Sequence, residues 1–300
     1  MPSYHCVKSP MQYFNSYSRT YKFAFIYYFS GQPNHSGQTE NRPTMYEYGV
    51  LALLLLGGLL VLNLLVKTRM HLLFPAIQDR CSIMYNVAAG GFKRELFKDM
   101  ETLRDQPLTE RAGDAASGDE APRSLTVLEI GVGTGANFEF YPDGTAVIGV
   151  EPNKNFVGYL ERNAAKHFPR VRLERTVVAF GEDLRGHVDD CSVDAVVITV
   201  VLCSVKCVDA VLSEARRVLK QGGKLFFLEH VAAEPGTWIN QLQWVLNPIW
   251  PYIFDGCQLI RTPWVNVERA GFSKVDYQKL WIPVPFFVPA RPHLMGVATK

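Results

Sequence analysis

LTVLEIGVGTGANF, residues 125–138, joins an apolar run to three alternate glycines. Leu125, Val127, Leu128 and Ile130 have the β-branched and leucine-rich character of a parallel strand buried on both faces. Gly131, Gly133 and Gly135 let the chain turn sharply with backbone N–H groups facing a ligand, and a helix is expected to follow. That order of strand, glycine loop and helix makes a cradle for a nucleotide-like cofactor. Gly131, Gly133 and Ala136 also satisfy the dinucleotide pattern G-x-G-x-x-G/A, so the loop alone leaves a nicotinamide site and an S-adenosylmethionine site both open.

Three features downstream separate the two. The strand expected over 146–150 leads into Glu151, twenty residues after Gly131, where a carboxylate can accept hydrogen bonds from both ribose hydroxyls. Either ligand accepts that residue. A third strand, expected over 171–179, leads to Gly181-Glu182-Asp183 and puts a carboxylate where the exocyclic amine of an adenine would lie, which favours the methyl donor. A fourth strand is expected over 193–202. The fifth, 224–229, is announced by the turn Leu219-Lys220-Gln221-Gly222-Gly223. No Tyr-x-x-x-Lys pair or similar hydride-transfer machinery follows the glycine loop. The pattern resembles the seven-strand S-adenosylmethionine methyltransferases, which implies an α/β, doubly wound, Rossmann-like sheet with ligands at the carboxyl ends of its strands.

Three hundred residues, 48% of them hydrophobic, suffice for a full core in one or two domains, and the motifs occupy one. A net charge of +2 without a long basic run argues against nucleic acid as a partner, because phosphate binding concentrates Lys and Arg. A small or membrane-dissolved substrate fits that balance. Cys6, Cys81, Cys191, Cys203, Cys207 and Cys257 show no C-x-x-C pair and no histidine at ligand spacing. Neither a metal site nor a disulfide framework is indicated, and reduced thiols are expected.

The second strong signal is residues 48–66, YGVLALLLLGGLLVLNLLV, an uncharged run of 19 residues. It is long enough to cross a hydrocarbon core of about 30 Å. A cleaved signal peptide would have a shorter apolar region of about 7 to 15 residues with basic residues before it. Here Glu40 and Glu47 precede the run, and Lys67 and Arg69 follow. Lys67, Arg69 and Arg80 against Arg42 place the following domain on the cytosolic side by the positive-inside rule. Leu72, Leu73 and Phe74 before Pro75 extend the apolar character, so an interfacial helix or hairpin is the alternative to a full span.

The expected organisation has an extension at 1–47 without fixed structure, the anchor at 48–66, and juxtamembrane and amphipathic helices at 67–105 with Phe92, Leu96, Met100 and Leu103 on one face. A flexible linker at 106–124 and the main domain at 125–300 follow. Within that domain the Trp- and Pro-rich residues 231–292 form a substrate lid. Helices are expected at 237–246 and 263–270, and strands near 272–281 and 294–299. Met45 lies directly before the anchor, so the residues upstream of it are expected to be an alternative extension.

Longer words of sequence narrow the resemblance. FKRELF (92–97), LEIGVGTGANFEFYP (128–142), EPNKNF (151–156), GEDL (181–184), VLCSV (201–205), RRVLKQGGKLFFLEHV (216–231), FDGC (254–257) and RPHLMG (291–296) resemble the membrane-anchored thiol S-methyltransferases, the methyltransferase-like seven group. The resemblance covers about residues 45–300. It implies an S-adenosyl-L-methionine-dependent enzyme of the endoplasmic reticulum membrane and lipid droplets that methylates small alkyl thiols. Val132 stands where the family usually has Cys, and Glu151 where it usually has Asp.

Methyl transfer from a sulfonium to a thiolate is an in-line displacement, so the protein has chiefly to hold the partners together and exclude water. The cofactor residues expected are Glu129 at the loop or the methionine amino group, the backbone of Gly131, Gly133 and Gly135, Glu151 on the ribose, and Glu182 or Asp183 near adenine. Asn137 and Leu202 to Ser204 line the methionine end. An alkyl thiol with pKa around 8.5 is only a few per cent ionised at neutral pH. His230, ending the fifth strand, is the candidate base, although a strand-end histidine can equally bond backbone. Asp255 and His293 are further candidates, with Asp255-Gly256 also reading as a turn. Trp238, Trp244, Trp250 and Trp264 wall a pocket or simply pack the lid. A lipid or other hydrophobic acceptor, or a tethered binding protein without turnover, remains open beside the thiol reading.

Overall fold

The computed structural model describes residues 45–104, 124–284 and 287–300. The expected extension up to residue 44 and the linker at 106–123 lie outside the described residues. The chain divides into two compact units, Met1–Val66 and Lys67–Lys300.

The described part of the first unit is the start of helix α1, Met45–Arg104. Its apolar side chains point outward: Leu53, Leu54, Leu55 and Leu56 are each at least 60% exposed. By length and composition this helix can cross a membrane. Proline inside a helix removes a hydrogen bond and usually ends or kinks it. α1 nevertheless continues through Pro75.

In the second unit, α1 turns amphipathic. Ala89, Lys93, Leu96, Phe97, Met100 and Leu103 are buried at spacings of three and four. Phe97 meets Tyr141 and Phe226 edge-on, with ring centroids 5.3 and 6.3 Å away. The face read from the sequence is present, with Lys93 as its unforeseen polar member.

The sheet has seven strands: β1 Leu125–Ile130, β2 Thr145–Val150, β3 Val171–Val177, β4 Val193–Thr199, β5 Leu219–His230, β6 Lys274–Trp281 and β7 Pro292–Thr299. Their order is β3-β2-β1-β4-β5-β7-β6. The first five pair in parallel; β7 pairs antiparallel with both β5 and β6. Central strands alternate their side chains between two cores. Val127 and Val197 join the α1 side with Leu160 of helix α2 (Val157–His167). Leu128 and Val196 join the other side, under helices α3 (Val208–Val218) and α6 (Trp264–Arg269). Residues 231–292 carry α4 (Trp238–Leu246) and the single turn α5 (Trp250–Ile253). Thr237 caps α4 by accepting the N–H of Asn240.

Three local expectations change. After the glycine loop the chain forms a short 3-10 turn, Phe138–Phe140, instead of an α-helix, because Tyr141 leaves it in extended conformation ahead of Pro142. The Gln221-Gly222-Gly223 turn is absorbed into β5 as an irregularity, where pairing jumps from Val193↔Leu219 to Ala195↔Lys224. Cys81, Cys191, Cys203 and Cys257 are free thiols, but Cys207 departs from the expectation and is disulfide-bonded.

Candidate active site

Gly131, Gly133 and Gly135 hold φ of +69°, +52° and +75°, the left-handed region in which a side chain is strained. At Gly131 a Cβ would come within 2.4 Å of Val201 Cγ2. The N–H groups of Gly131 and Val132 both donate to the Val150 carbonyl, at 2.8 and 3.1 Å, which pins the loop to the end of β2. The cradle is thus fixed by the sheet. Gly133 has no atom nearer than 3.8 Å to its virtual Cβ, so its surroundings stay open.

Glu151 closes this cradle. One carboxylate oxygen accepts from Asn153 N at 2.9 Å, the other from Gly133 N at 3.2 Å. Burial raises its pKa from the ordinary 4.5 to about 7 against these two bonds, and nearby Asp255 adds to the rise. Glu129, at the end of β1, accepts from Tyr141 Oη and Asn137 Nδ2, both at 2.7 Å. Burial also lifts it to about 7, opposed by Tyr141, Asn137 and Lys93. Asn137 reaches Thr199 Oγ1 at 2.9 Å, while its own Oδ1 is buried without a partner. Paired acceptors beside an orphaned amide oxygen, under a loop of left-handed glycines, fit the ribose and the ammonium of S-adenosylmethionine.

Proton linkage gives the sign of a pH effect. Carboxylates with pKa about 7 are about one-tenth ionised at pH 6 and about nine-tenths at pH 8, and only the ionised form accepts fully from hydroxyls and an ammonium. Affinity for S-adenosylhomocysteine is therefore expected to rise by about tenfold or more from pH 6 to pH 8. Calorimetric titration at the two pH values checks this, and a flat profile removes both carboxylates as donor ligands.

Other expected cofactor residues lie further along the strand ends. Glu182 accepts from Lys206 N at 2.7 Å, whereas Asp183 is exposed and accepts from Arg185 N at 3.3 Å. Leu202 is fully buried, and its carbonyl accepts from Arg261 Nη1 at 2.6 Å. Asp255, at φ +43°, stands 3.6 Å from His71 Nδ1 of α1 and is not joined to His230.

His230 is 3% exposed, and its Nε2 lies 2.7 Å from Cys257 Sγ. A ring nitrogen expected to face substrate thus faces a protein thiol. Burial favours the neutral ring, but Cys203 and Glu229 outweigh it and the net direction of its pKa is up. Cys203, 1% exposed, is pushed well above the ordinary thiol range, first by its bond with Cys257 and then by burial. His293 lies opposite His230 in the β5–β7 register and bonds Tyr85 Oη at 3.1 Å; burial lowers it to about 3, which keeps it neutral. It is thus unsuited to store a proton.

Several residues here carried no readable signal in the sequence. Lys93, taken as part of the polar face of its helix, is 2% exposed. It donates to Asn86 Oδ1 at 2.7 Å, and Asn86 Nδ2 in turn donates to the Ala136 carbonyl at 2.8 Å. Burial lowers Lys93 to about 8, with Glu129 pulling the other way. The helix therefore steadies the glycine loop and offsets the buried Glu129. Glu229 fixes the turn after β4 by accepting Val201 N at 3.0 Å.

A family described as "Methyltransferase domain" matches residues 128–227. Human thiol S-methyltransferase TMT1A is 43% identical over 227 residues, covering 76% of this chain and 86% of that protein. Mouse thiol S-methyltransferase TMT1B is 40% identical over 251 residues, covering 83% and 99%. Among solved structures, a SAM-dependent methyltransferase of Thermotoga maritima superposes with TM-score 0.51 at 18% identity, covering 78% of this chain and 99% of that one. A Haemonchus contortus phosphoethanolamine N-methyltransferase 2 bound to S-adenosylhomocysteine gives TM-score 0.51 at 14% identity, covering 77% and 59%.

Proposed function

This chain belongs to the family of the thiol S-methyltransferases TMT1A and TMT1B, and on that footing we propose that it moves the methyl group of S-adenosylmethionine to the sulfur of small alkyl thiols at a cytosol-facing membrane. One observation carries the reading: the left-handed glycine loop follows β1, and a buried imidazole and two thiols gather after β4 and at the end of β5, on the carboxyl edge of the same parallel strands. When bound, S-adenosylmethionine supplies a sulfonium methyl group open to in-line displacement. Glu151 takes the ribose hydroxyls, Glu129 and Asn137 the methionine end, the three glycines approach with their backbone, and Asp183 or Glu182 meets the adenine amine. His230 favours the thiolate form of the acceptor. Asp255, beside Glu151, belongs to the cover over the ribose.

Trp238, Trp244, Val245, Ile249 and Tyr252 on α4, α5 and the turn between them are all at least 46% exposed. That apolar surface supports access from a bilayer, so lipophilic thiols are the preferred acceptors and a lipid-like acceptor is the second reading. The outward apolar start of α1 supports a membrane anchor, with endoplasmic reticulum and lipid droplets as the proposed locations.

The test is mass-spectrometric detection of methylated product from membranes containing the full chain, supplied with donor and matched alkyl thiols, alcohols and amines. S-methyl product from thiols alone is expected. Product from another acceptor class, or none with donor binding intact, replaces the reading. His230→Ala is expected to lower turnover about tenfold more at pH 6.5 than at pH 9, where the acceptor ionises unaided. Equal losses at both pH values assign the ring a packing role.

A further inference from the structure

Three soft ligand atoms meet beyond the carboxyl ends of β4 and β5. Cys203 Sγ, a ring nitrogen of His230 and Cys257 Sγ all lie within 4.8 Å of one another, and all three side chains are buried. They come from the turn after β4, the end of β5 and the chain after α5. A tetrahedral ion with Zn–S about 2.3 Å and Zn–N about 2.0 Å sets sulfurs about 3.8 Å apart and nitrogen about 3.5 Å from sulfur. With His230 Nε2 at 2.7 Å from Cys257 Sγ, that pair has to open by less than about 1 Å to hold such an ion.

Two buried cysteines alone read as core packing. Here polar groups converge on them as well. Trp250 Nε1 donates to Cys257 Sγ at 3.3 Å, and the Arg261 guanidinium lies in the field of both sulfurs. His230 Nδ1 is buried with no partner, so the protein alone leaves that ring half satisfied. Thiolate is the form that ligates a metal, so uptake of an ion there displaces the protons of the two thiols.

We propose that Cys203, His230 and Cys257 form a three-ligand site for a zinc-class divalent cation, whose fourth position takes the acceptor thiol as its thiolate. Structural zinc sites close with four protein ligands, whereas three leave a position for substrate. The inference rests on the thiol S-methyltransferase reading and gives its acceptor step a physical basis. On ligation the acceptor S–H bond breaks and the proton leaves to solvent. The thiolate sulfur then supplies the electron pair for the new S–CH3 bond, while the bond from that methyl to the donor sulfonium breaks and S-adenosylhomocysteine departs. Nothing is oxidised or reduced. The neutral thioether is a poorer ligand than a thiolate, so product leaves. Arg261 offsets the excess negative charge of three thiolates around one divalent ion.

The test uses the full chain, purified in detergent, stripped with chelator and titrated with Co2+ or Zn2+. One equivalent is expected to bind, with thiolate-to-cobalt absorption that shifts on adding an alkyl thiol and not on adding the matching alcohol. Cys203→Ser and Cys257→Ser are each expected to weaken metal binding by more than about 100-fold, beyond what outer-sphere changes produce, and in Cys257→Ser S-adenosylhomocysteine still binds. Should a serine variant fail to bind S-adenosylhomocysteine, Cys257→His, which keeps a ligand, must retain the metal with weaker charge-transfer bands. No stoichiometric uptake, uptake unchanged in the variants, or a cobalt spectrum indifferent to thiol overturns the proposal. The two readings fail separately. Thiol methylation that survives chelation removes the metal alone, whereas a thiol-responsive metal site without thiol methylation removes the proposed function alone.

Discussion

Glu151→Ala is expected to weaken S-adenosylhomocysteine binding by at least about 100-fold, because it deletes two hydrogen bonds to a charged acceptor worth about 1.5 to 3 kcal/mol each. The side chain has a second duty. In the free protein its oxygens accept from Gly133 N and Asn153 N, so alanine also leaves two backbone donors of the cradle unmet. Glu151→Asp separates the duties: it keeps the charge on a shorter stem and is expected to stay within about tenfold of the parent. Calorimetric titration of all three proteins checks the pair. An alanine variant that binds within threefold would place the ribose elsewhere.

Gly131→Ala should be the most damaging small change in the loop. Alanine at φ +69° costs about 1 kcal/mol in backbone strain, and its methyl, 2.4 Å from Val201 Cγ2, adds about 1 to 3 kcal/mol of overpacking. The expected loss is about 2 to 4 kcal/mol in chemical denaturation, with donor binding lost because the loop pinned to Val150 and Glu151 by the N–H groups of residues 131–133 shifts. A second substitution, Val201→Ala, relieves the clash and not the strain. The double variant should therefore recover part of the stability; no recovery would mean that strain alone sets the cost.

The fold was readable wherever one local rule sufficed. The runs at 125–130, 146–150 and 193–199 are apolar without alternation, as strands buried on both faces must be, and 131–135 carried its glycines at the required spacing. The helices expected at 237–246 and 263–270 form at Trp238–Leu246 and Trp264–Arg269. Misreadings arose where distant partners decide. Lys93 sits among exposed charges in the sequence and is buried because β1 carries Glu129, a carboxylate that needs a cation nearby. Cys203, His230 and Cys257 follow one another at intervals of 27 residues, a separation with no local meaning; the parallel pairing of β4 with β5 and the hydrogen bond from Gln258 N to the Cys203 carbonyl bring them together.

The strand order carries a consequence for synthesis. β7 leaves the ribosome after β6, yet it lies between β5 and β6. β6 therefore has no edge to dock on until β7 has inserted. The strand that brings His293 opposite His230 is thus among the last made. β1 to β4 and the glycine loop emerge early, whereas the partner that lies opposite His230 arrives only near the end of translation. Donor binding and turnover should accordingly arise at different chain lengths. On the proposed assignment, a chain stopped before β7 would hold its donor without turning it over.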